Sequence, residues 1–297
     1  MNLEAIVRKW ISKLWHSSLV QFFIPEKFYI AWEYRRHLGK KLNLKKPLTF
    51  NEKIQWLKLY DHNPLYTTLV DKFEARQYIA QVIGAKYLIP LIGVYETEDD
   101  IPFDELPEQY VLKCTHDCGS VIVKNNTCAL TENEIKKKLK NALKRNYYYE
   151  HREWPYKNVK PRVICENYLG DPASGELIDY KFLCFNGEPK CLFICLDRNN
   201  GKGLKVDFYD LDWNLMPFER HYPNSGRSTP KPKCFDLMKH LVRKISKDFP
   251  FVRVDLYVIN KEIYFGELTF YPGNGIEEFS PEIYDEVLGG WIQIPKG

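Results

Sequence analysis

Arg253-Val254-Asp255 and Phe265-Gly266-Glu267-Leu268-Thr269, followed directly by Tyr271-Pro272-Gly273-Asn274-Gly275, form the stretch on which the fold assignment turns. The runs Val252 to Val258 and Ile263 to Thr269 read as the two strands of a hairpin. Successive side chains on a strand point to opposite faces. Arg253 and Asp255 therefore share one face, and Glu267 and Thr269 share a face of the partner strand. Pairing brings together one guanidinium and two carboxylates. Two carboxylates completed by phosphate oxygens and water suit Mg²⁺, which seldom takes an all-protein cage. The bland alternative is an exposed ion pair of little energetic weight. The glycine-bearing loop that follows weighs against it, because glycine lets main-chain N–H groups come close to an anion.

Working upstream, strand-like runs at 162–169, 178–186, 189–197 and 204–210 are separated by turn chemistry at Gly170-Asp171-Pro172, Asn186-Gly187 and Asn199-Asn200-Gly201. This spacing predicts antiparallel sheet. Tyr110 to Lys113 and Val121 to Lys124 read as another hairpin, its tip His116-Asp117-Cys118-Gly119-Ser120 small and polar. Thr131 and Glu134 match a capping box that opens a helix to about Arg145. Asp71 is placed to cap a helix from Lys72 to about Ile83, ended by Gly84. At the start, Leu3, Ile6, Val7, Trp10, Ile11 and Leu14 fall at helical spacing among Arg8, Lys9 and Lys13. Such a helix suits either packing on its own domain or an anionic membrane surface, and packing is the more frequent use.

The run Arg-x-Asp, then Glu-x-Thr and Pro-Gly, resembles the metal and oxyanion end of ATP-grasp ligases such as D-alanine–D-alanine ligase. Arg253, Asp255, Glu267, Pro272 and Gly273 fill the pattern. Thr269 stands where the family usually has an Asn metal ligand, and a threonine hydroxyl can bind Mg²⁺ or hold its water. By the same resemblance Lys72 and Lys113 are the two phosphate-binding lysines, with Lys181 as a further cation. The Cys118-Gly119-Ser120 turn is the loop that closes over the phosphates. Ile164-Cys165-Glu166-Asn167-Tyr168-Leu169 is similar to the adenine-holding strand and hinge, where the Glu166 carbonyl and the Leu169 N–H would read the base beside Tyr168. Asp179 falls where a ribose-binding carboxylate is expected, and Arg198 is the loop cation best placed for the γ-phosphate or an acidic acceptor.

A narrower resemblance covers nearly the whole chain. Pro47-Leu48-Thr49-Phe50-Asn51-Glu52-Lys53, Asp71-Lys72, Lys113-Cys114-Thr115-His116-Asp117, Asp179-Tyr180-Lys181-Phe182 and Gly266-Glu267-Leu268-Thr269-Phe270 look like the TupA-like ATP-grasp family. The resemblance implies an α+β ATP-grasp fold, with antiparallel sheets and flanking helices clamping ATP between two subdomains. It divides the chain into a helical acceptor-side region at 1–100, a small subdomain at 101–170 carrying the lysine hairpin and hinge, and a C-terminal subdomain at 171–297. The implied cofactors are ATP and Mg²⁺. The implied reaction is amide formation between a uronic acid carboxyl of a surface or capsular polysaccharide, or its glycan or nucleotide-sugar precursor, and an amino acid or amino alcohol.

Composition sets the bounds on rival readings. A net charge of +4 from 43 basic and 39 acidic residues lacks the concentrated basic stripe that nucleic acid requires. The eight cysteines show no disulfide framework. No early apolar run makes a signal peptide, and none is long enough to span a bilayer, so the expected compartment is the cytoplasm, including the inner membrane surface where capsule is assembled. Cys118 with His116 invites a thiol nucleophile, but neighbours on one turn rarely provide that geometry. Cys114, Cys118 and Cys128 with His116 lack the Cys-x-x-Cys pair usual in zinc sites. Asp210-Leu211-Asp212 invites a metal-dependent glycosyltransferase, the principal alternative, although a turn between strands, bracketed by Tyr209 and Trp213, is the strongly favoured reading of that motif. A catalytically idle scaffold in polysaccharide assembly is the third reading. Arg220, Arg227 and Lys231 read as solvated surface, and His151, Arg152 and Trp154 as a lid over a sugar.

Overall fold

The computed structural model describes residues 24–170, 178–197 and 203–295. The expected helix over residues 3–15 and the turns at 171–172 and 199–201 lie outside them. Two antiparallel sheets organise the rest. The smaller holds β1 (Leu91–Tyr95), β2 (Tyr110–Cys114), β3 (Val121–Lys124) and β4 (Val163–Asn167), in the order β1-β4-β2-β3. The larger holds β5 (Asp179–Phe185), β6 (Glu188–Leu196), β7 (Lys205–Asp210), β9 (Phe251–Ile259) and β10 (Glu262–Thr269), in the order β10-β9-β5-β6-β7. Two short strands, β8 (Glu219–Arg220) and β11 (Phe279–Ser280), pair separately.

Of the four consecutive runs expected to be strands, the first therefore joins a different sheet from the other three. β4 pairs with both β1 and β2, whereas β5 lies between β9 and β6. β1, which precedes the boundary drawn at residue 100, belongs to the small sheet. That sheet shows regular alternation. Tyr110, Leu112 and Cys114 are buried while Val111 and Lys113 are only partly covered. The buried face packs with Ile122, Val163 and Cys165 against Ile135 and Leu139.

The helices, in chain order, are α1 (Glu26–Leu38), α2 (Phe50–Tyr60), α3 (Leu65–Val70), α4 (Ala75–Val82), α5 (Glu132–Leu143), α6 (Tyr148–His151), α7 (Phe235–Ser246) and α8 (Ile283–Trp291). α5 starts at the predicted Thr131–Glu134 capping box. Asp71 caps as expected, accepting from Phe73 N at 2.8 Å, but it does so in a preliminary turn, and α4 begins only at Ala75. In the large sheet every residue of β5 is buried. α7 covers that sheet with Phe235, Met238, Leu241, Val242 and Ile245, the spacing of one helical face.

The Pro47–Lys53 run proves to be an anchor for the C-terminal part of the chain. Thr49 and Glu52 form a reciprocal capping box that starts α2. Phe50 is fully buried, its ring 5.1 Å from Phe251 and 6.0 Å from Phe279. Ile54 and Leu57 continue that apolar stripe. Beside it runs a second stripe of Asn51, Gln55 and Lys58, polar yet buried. Asn51 donates to the Glu277 carbonyl at 2.8 Å, and its backbone N–H meets Asp285 at 2.9 Å. Gln55 donates to the carbonyls of Asn274 at 2.6 Å and Gly275 at 2.9 Å. One helix thus holds both the core and the glycine loop. In urea titrations, Phe50→Ala should lower stability by ~3–5 kcal/mol and Thr49→Ala by ~1 kcal/mol. An unmoved midpoint for Phe50→Ala would contradict this role.

Candidate active site

β9 and β10 pair regularly from Glu262 with Ile259 to Phe265 with Leu256, and again from Leu268 with Val254 to Thr269 with Arg253. Between these ladders Gly266 and Glu267 together face Asp255, which is a β-bulge. The core demands it. Phe265 and Leu268 are both buried although three residues apart, and an unbroken strand of period two would turn one of them outward. The bulge absorbs the extra residue and leaves Glu267 beside the cluster. Gly266 is required there, since a side-chain carbon would come within 2.9 Å of the Tyr257 ring.

Arg253 joins the carboxylates. Its Nε and Nη2 meet Asp255 at 2.7 and 2.8 Å, and Nη2 also meets Glu267 at 2.8 Å. Lys181 on β5, in register with Asp255, donates to the same carboxylate and lies 3.5 Å from Asp179. Asp179 is hydrogen-bonded by the Tyr257 hydroxyl. Asp255 has no exposed surface. Burial alone would raise its pKa, but Arg253 and Lys181 outweigh that and hold the carboxyl below the ordinary range. Breaking such a buried network from one side costs about 3–5 kcal/mol, because the remaining charge is stranded.

A cavity of about 190 Å³ opens in front of this cluster and is closed on its other side by the small sheet. Lys72, Lys113, Glu166, Asp179, Lys181 and Glu267 all line it. Lys113 on β2 and Glu166 on β4 pair at 2.7 Å. Arg76 on α4, which the sequence reading passed over, holds the other oxygen of Glu166 at 2.8 Å. Glu166 thus enters the site through its side chain. Lys72 is fixed by the hairpin. Its N–H donates to Thr115 O at 3.2 Å and its ammonium to the Asp117 carbonyl, while the neighbouring Asp71 pairs with Arg162 at 2.7 Å. A larger cavity of about 330 Å³ lies between β3 and α5. Lys138 is the one charged lining residue among those described, so this cavity lacks the cluster of cations that phosphates require.

Other expected site residues are not among those that line the charged cavity. Ser120 donates to the buried Asp117 carboxylate, which commits its hydroxyl to the turn, and it lines the larger cavity instead. Tyr168 and Leu169 follow the end of β4, and neither lines the charged cavity. The Tyr168 hydroxyl accepts from Asn125 at 3.4 Å. Thr269 sits opposite Arg253, on the side of the cluster. Arg198 lies outside the described residues.

The rival motifs fare differently. Asp210 accepts from the N–H groups of Asp212 at 2.9 Å and Asn214 at 2.8 Å, and from the Asn214 amide at 2.9 Å, so its oxygens build a turn. His116 is buried with Nε2 at 3.2 Å from the Ala142 carbonyl, whereas Cys118 is exposed at the tip. Arg227 is an exposed partner of Asp197. Arg220, expected at the surface, is buried.

Gly273 and Asn274 both have left-handed backbones, with φ of 56° and 55°. Lys58 holds this loop by donating to Asn274 O at 3.0 Å, and it reaches His151 O at 3.3 Å. The Trp154 indole donates to the Tyr271 hydroxyl at 2.9 Å, so the segment read as a lid is packed on the loop. Lys58 and the buried Glu153 are electrostatically linked. Burial pushes Glu153 up to about 7 and Lys58 down to about 8.

Whether the donor set fits Mg²⁺ can be judged from the carboxylates. Among the described residues no group of three or more His, Cys, Asp or Glu makes a self-sufficient metal site. Asp255 and Glu267, bridged by one guanidinium and flanked by Thr269, provide hard oxygens for an ion whose remaining ligands arrive with phosphates and water. The donor set fits on those terms.

The sequence profile of the TupA-like ATP-grasp family matches residues 52–293, and the protein belongs to that family. No curated protein matches the chain. Among solved structures, D-alanine–D-alanine ligase from Bacillus anthracis complexed with ATP is similar at 15% identity and a TM-score of 0.41, over 68% of this chain and 55% of that one. D-alanine–D-alanine ligase from Helicobacter pylori is similar at 15% identity and a TM-score of 0.42, over 82% and 69%. L-amino acid ligase from Bacillus licheniformis is similar at 11% identity and a TM-score of 0.41, over 76% and 50%. The chain thus spans about half the length of the first of these. No helix among the described residues is long and apolar enough to cross a membrane.

The Glu153 shift has a definite sign. Its folded pKa, about 7, exceeds the unfolded value, so between about pH 4.5 and 7 the folded state holds the extra proton and stability falls as pH rises. Urea midpoints measured across that window should fall less steeply for Glu153→Gln than for the wild type. Parallel slopes would show that Glu153 is not buried as described.

Proposed function

We propose that this protein is an ATP- and Mg²⁺-dependent carboxylate–amine ligase, joining the carboxyl of a uronic acid in a surface or capsular polysaccharide, or its precursor, to an amino acid or amino alcohol. The observation that carries the reading is the opposition of charge across one cavity. Glu267, with Arg253 and the buried Asp255 bonded behind it, lines one side, Lys72 and Lys113 line the cavity with it, and Lys181 joins them while bonded to Asp255.

A carboxylate is a poor electrophile and must be activated. One of its oxygens attacks the γ-phosphorus of ATP, the bond to the β-phosphate bridging oxygen breaks, and ADP leaves. The amine nitrogen then bonds to the carbonyl carbon of the acyl phosphate, inorganic phosphate departs, and the amine gives up a proton. Lys72, Lys113 and Lys181 place positive charge where the phosphoryl group moves. Mg²⁺ held by Asp255 and Glu267, with Thr269, would neutralise phosphate charge. Asp179 is offered to the ribose, and Glu166 with Tyr168 and Leu169 to the base. Arg253 uses Nε and Nη2 on the carboxylates, and among the described residues its Nη1 makes no hydrogen bond. That donor and the Gly273 N–H are assigned to the oxyanion that forms when the amine attacks.

The glycosyltransferase reading loses support because Asp210 already serves a turn. Since ATP is the energy source, the proposed location is the cytoplasm, with the glycan precursor met at the inner membrane surface.

Thermal-shift titration tests the assignment. ATP with Mg²⁺ at ~100 times its Kd should add about 2.7 kcal/mol of stability. Asp255→Ala and Lys113→Ala should abolish that gain. Stabilisation by a UDP-sugar with Mn²⁺ instead of ATP, insensitive to both substitutions, would overturn the ligase.

A further inference from the structure

Arg220 is the least expected residue of the C-terminal half. It sits on β8 opposite Phe279 and is only 4% exposed, with its guanidinium over the rings of Phe50 at 5.1 Å and Phe279 at 5.4 Å. Nη2 donates to Pro272 O at 2.8 Å, and Nε is buried without a hydrogen-bond partner. Its ionic partner is Glu277, whose Oε2 lies 3.2 Å from Nη2. The same oxygen packs on Gly273, where a side-chain carbon would collide with the Glu277 carboxyl. Glu277 is a quarter exposed, while the Arg220 side chain is almost wholly covered. The Glu277 carboxylate therefore stands as a plug between solvent and a buried cation, against the glycine assigned to the oxyanion.

A buried guanidinium cannot be left bare, because its desolvation would go uncompensated. In a protein without ligand it must borrow an anion from its own chain. Exchange of that anion for another carboxylate leaves the charge balance unchanged and needs only a side-chain rotation at the surface. We propose that Arg220 and Gly273 form the seat for the carboxylate of the acidic substrate, and that Glu277 occupies this seat as an internal surrogate until the substrate displaces it. The inference rests on the ligase reading and adds where the group to be activated docks. It also gives Arg220 a role distinct from that of Arg253. Arg253 serves the metal carboxylates and the reacting oxygen, and Arg220 serves the incoming anion.

The test compares binding of D-glucuronate and D-galacturonate, with glucose as the neutral control, to wild type, Glu277→Gln and Arg220→Lys by calorimetry in the presence of ATP and Mg²⁺. Glu277→Gln keeps the shape and removes the competing charge, so uronate affinity should rise about tenfold if the seat is open a tenth of the time in the wild type. Glu277→Asp, which draws the charge one methylene back, should shift affinity in the same direction and guards against misfolding of the first variant. Arg220→Lys loses the planar fork and should weaken uronate binding while ATP stabilisation persists. Uronate affinity unchanged or reduced in both Glu277 variants, or unchanged in Arg220→Lys, overturns the proposal. Loss of ATP stabilisation in the wild type would instead strike the ligase reading, so the two failures are distinguishable.

Discussion

A single carboxylate with no exposed surface, Asp255 in the middle of β9, constrains the rest of the molecule. An ionised group cannot remain there without cations at bonding distance. Lys181 must stand across from it on β5 and Arg253 must fold back along its own strand, and Glu267 must come alongside to share the guanidinium. These requirements tie three neighbouring strands to one register. A slip of one residue in β5 would send Lys181 to the opposite face. The bulge at Gly266 and Glu267 answers the same constraint from the apolar side, letting Phe265 and Leu268 both enter the core while Glu267 stays with the charges. Stability and site geometry are therefore set by the same few residues.

The glycine loop at 272–275 depends on a second arrangement. Its carbonyls are gripped by the buried polar stripe of α2, and its far side rests on Arg220. The Pro47–Lys53 run, among the stretches most suggestive of the family, works at a distance from the charged cavity by starting this helix at a fixed place. The Lys58–Glu153 pair lies where the segment after α6 meets the loop, and burial moves both groups toward neutrality.

Much of this was legible in the residue order. Strand period located nearly every strand, and the Arg-x-Asp and Glu-x-Thr faces converge as alternation requires. The lysines at 72, 113 and 181 line one cavity although their separations in sequence are long. What was hidden depends on tertiary partners. Ser120 has the composition of a phosphate loop, but its hydroxyl finds the buried Asp117 three residues back. Gln55, Lys58 and Arg220 carry polar groups that ordinarily face solvent, and only the packing of the 272–277 loop shows them buried. Arg76 could have been suspected from its place one turn beyond Lys72, yet its role depends on Glu166 from a distant strand. The bulge left one trace, a glycine between two core residues at the wrong spacing.

The central claim is that this charged cavity activates a carboxylate by phosphorylating it. The most direct measurement supplies a uronate labelled with ¹⁸O in its carboxyl, together with ATP, Mg²⁺ and hydroxylamine as the amine, and analyses the released phosphate by mass spectrometry. Acyl phosphate formation transfers one carboxylate oxygen to phosphorus, so the account predicts phosphate carrying a single ¹⁸O alongside ADP and a hydroxamate. Unlabelled phosphate released with ADP would contradict it, because the γ-phosphoryl group would then have gone to water.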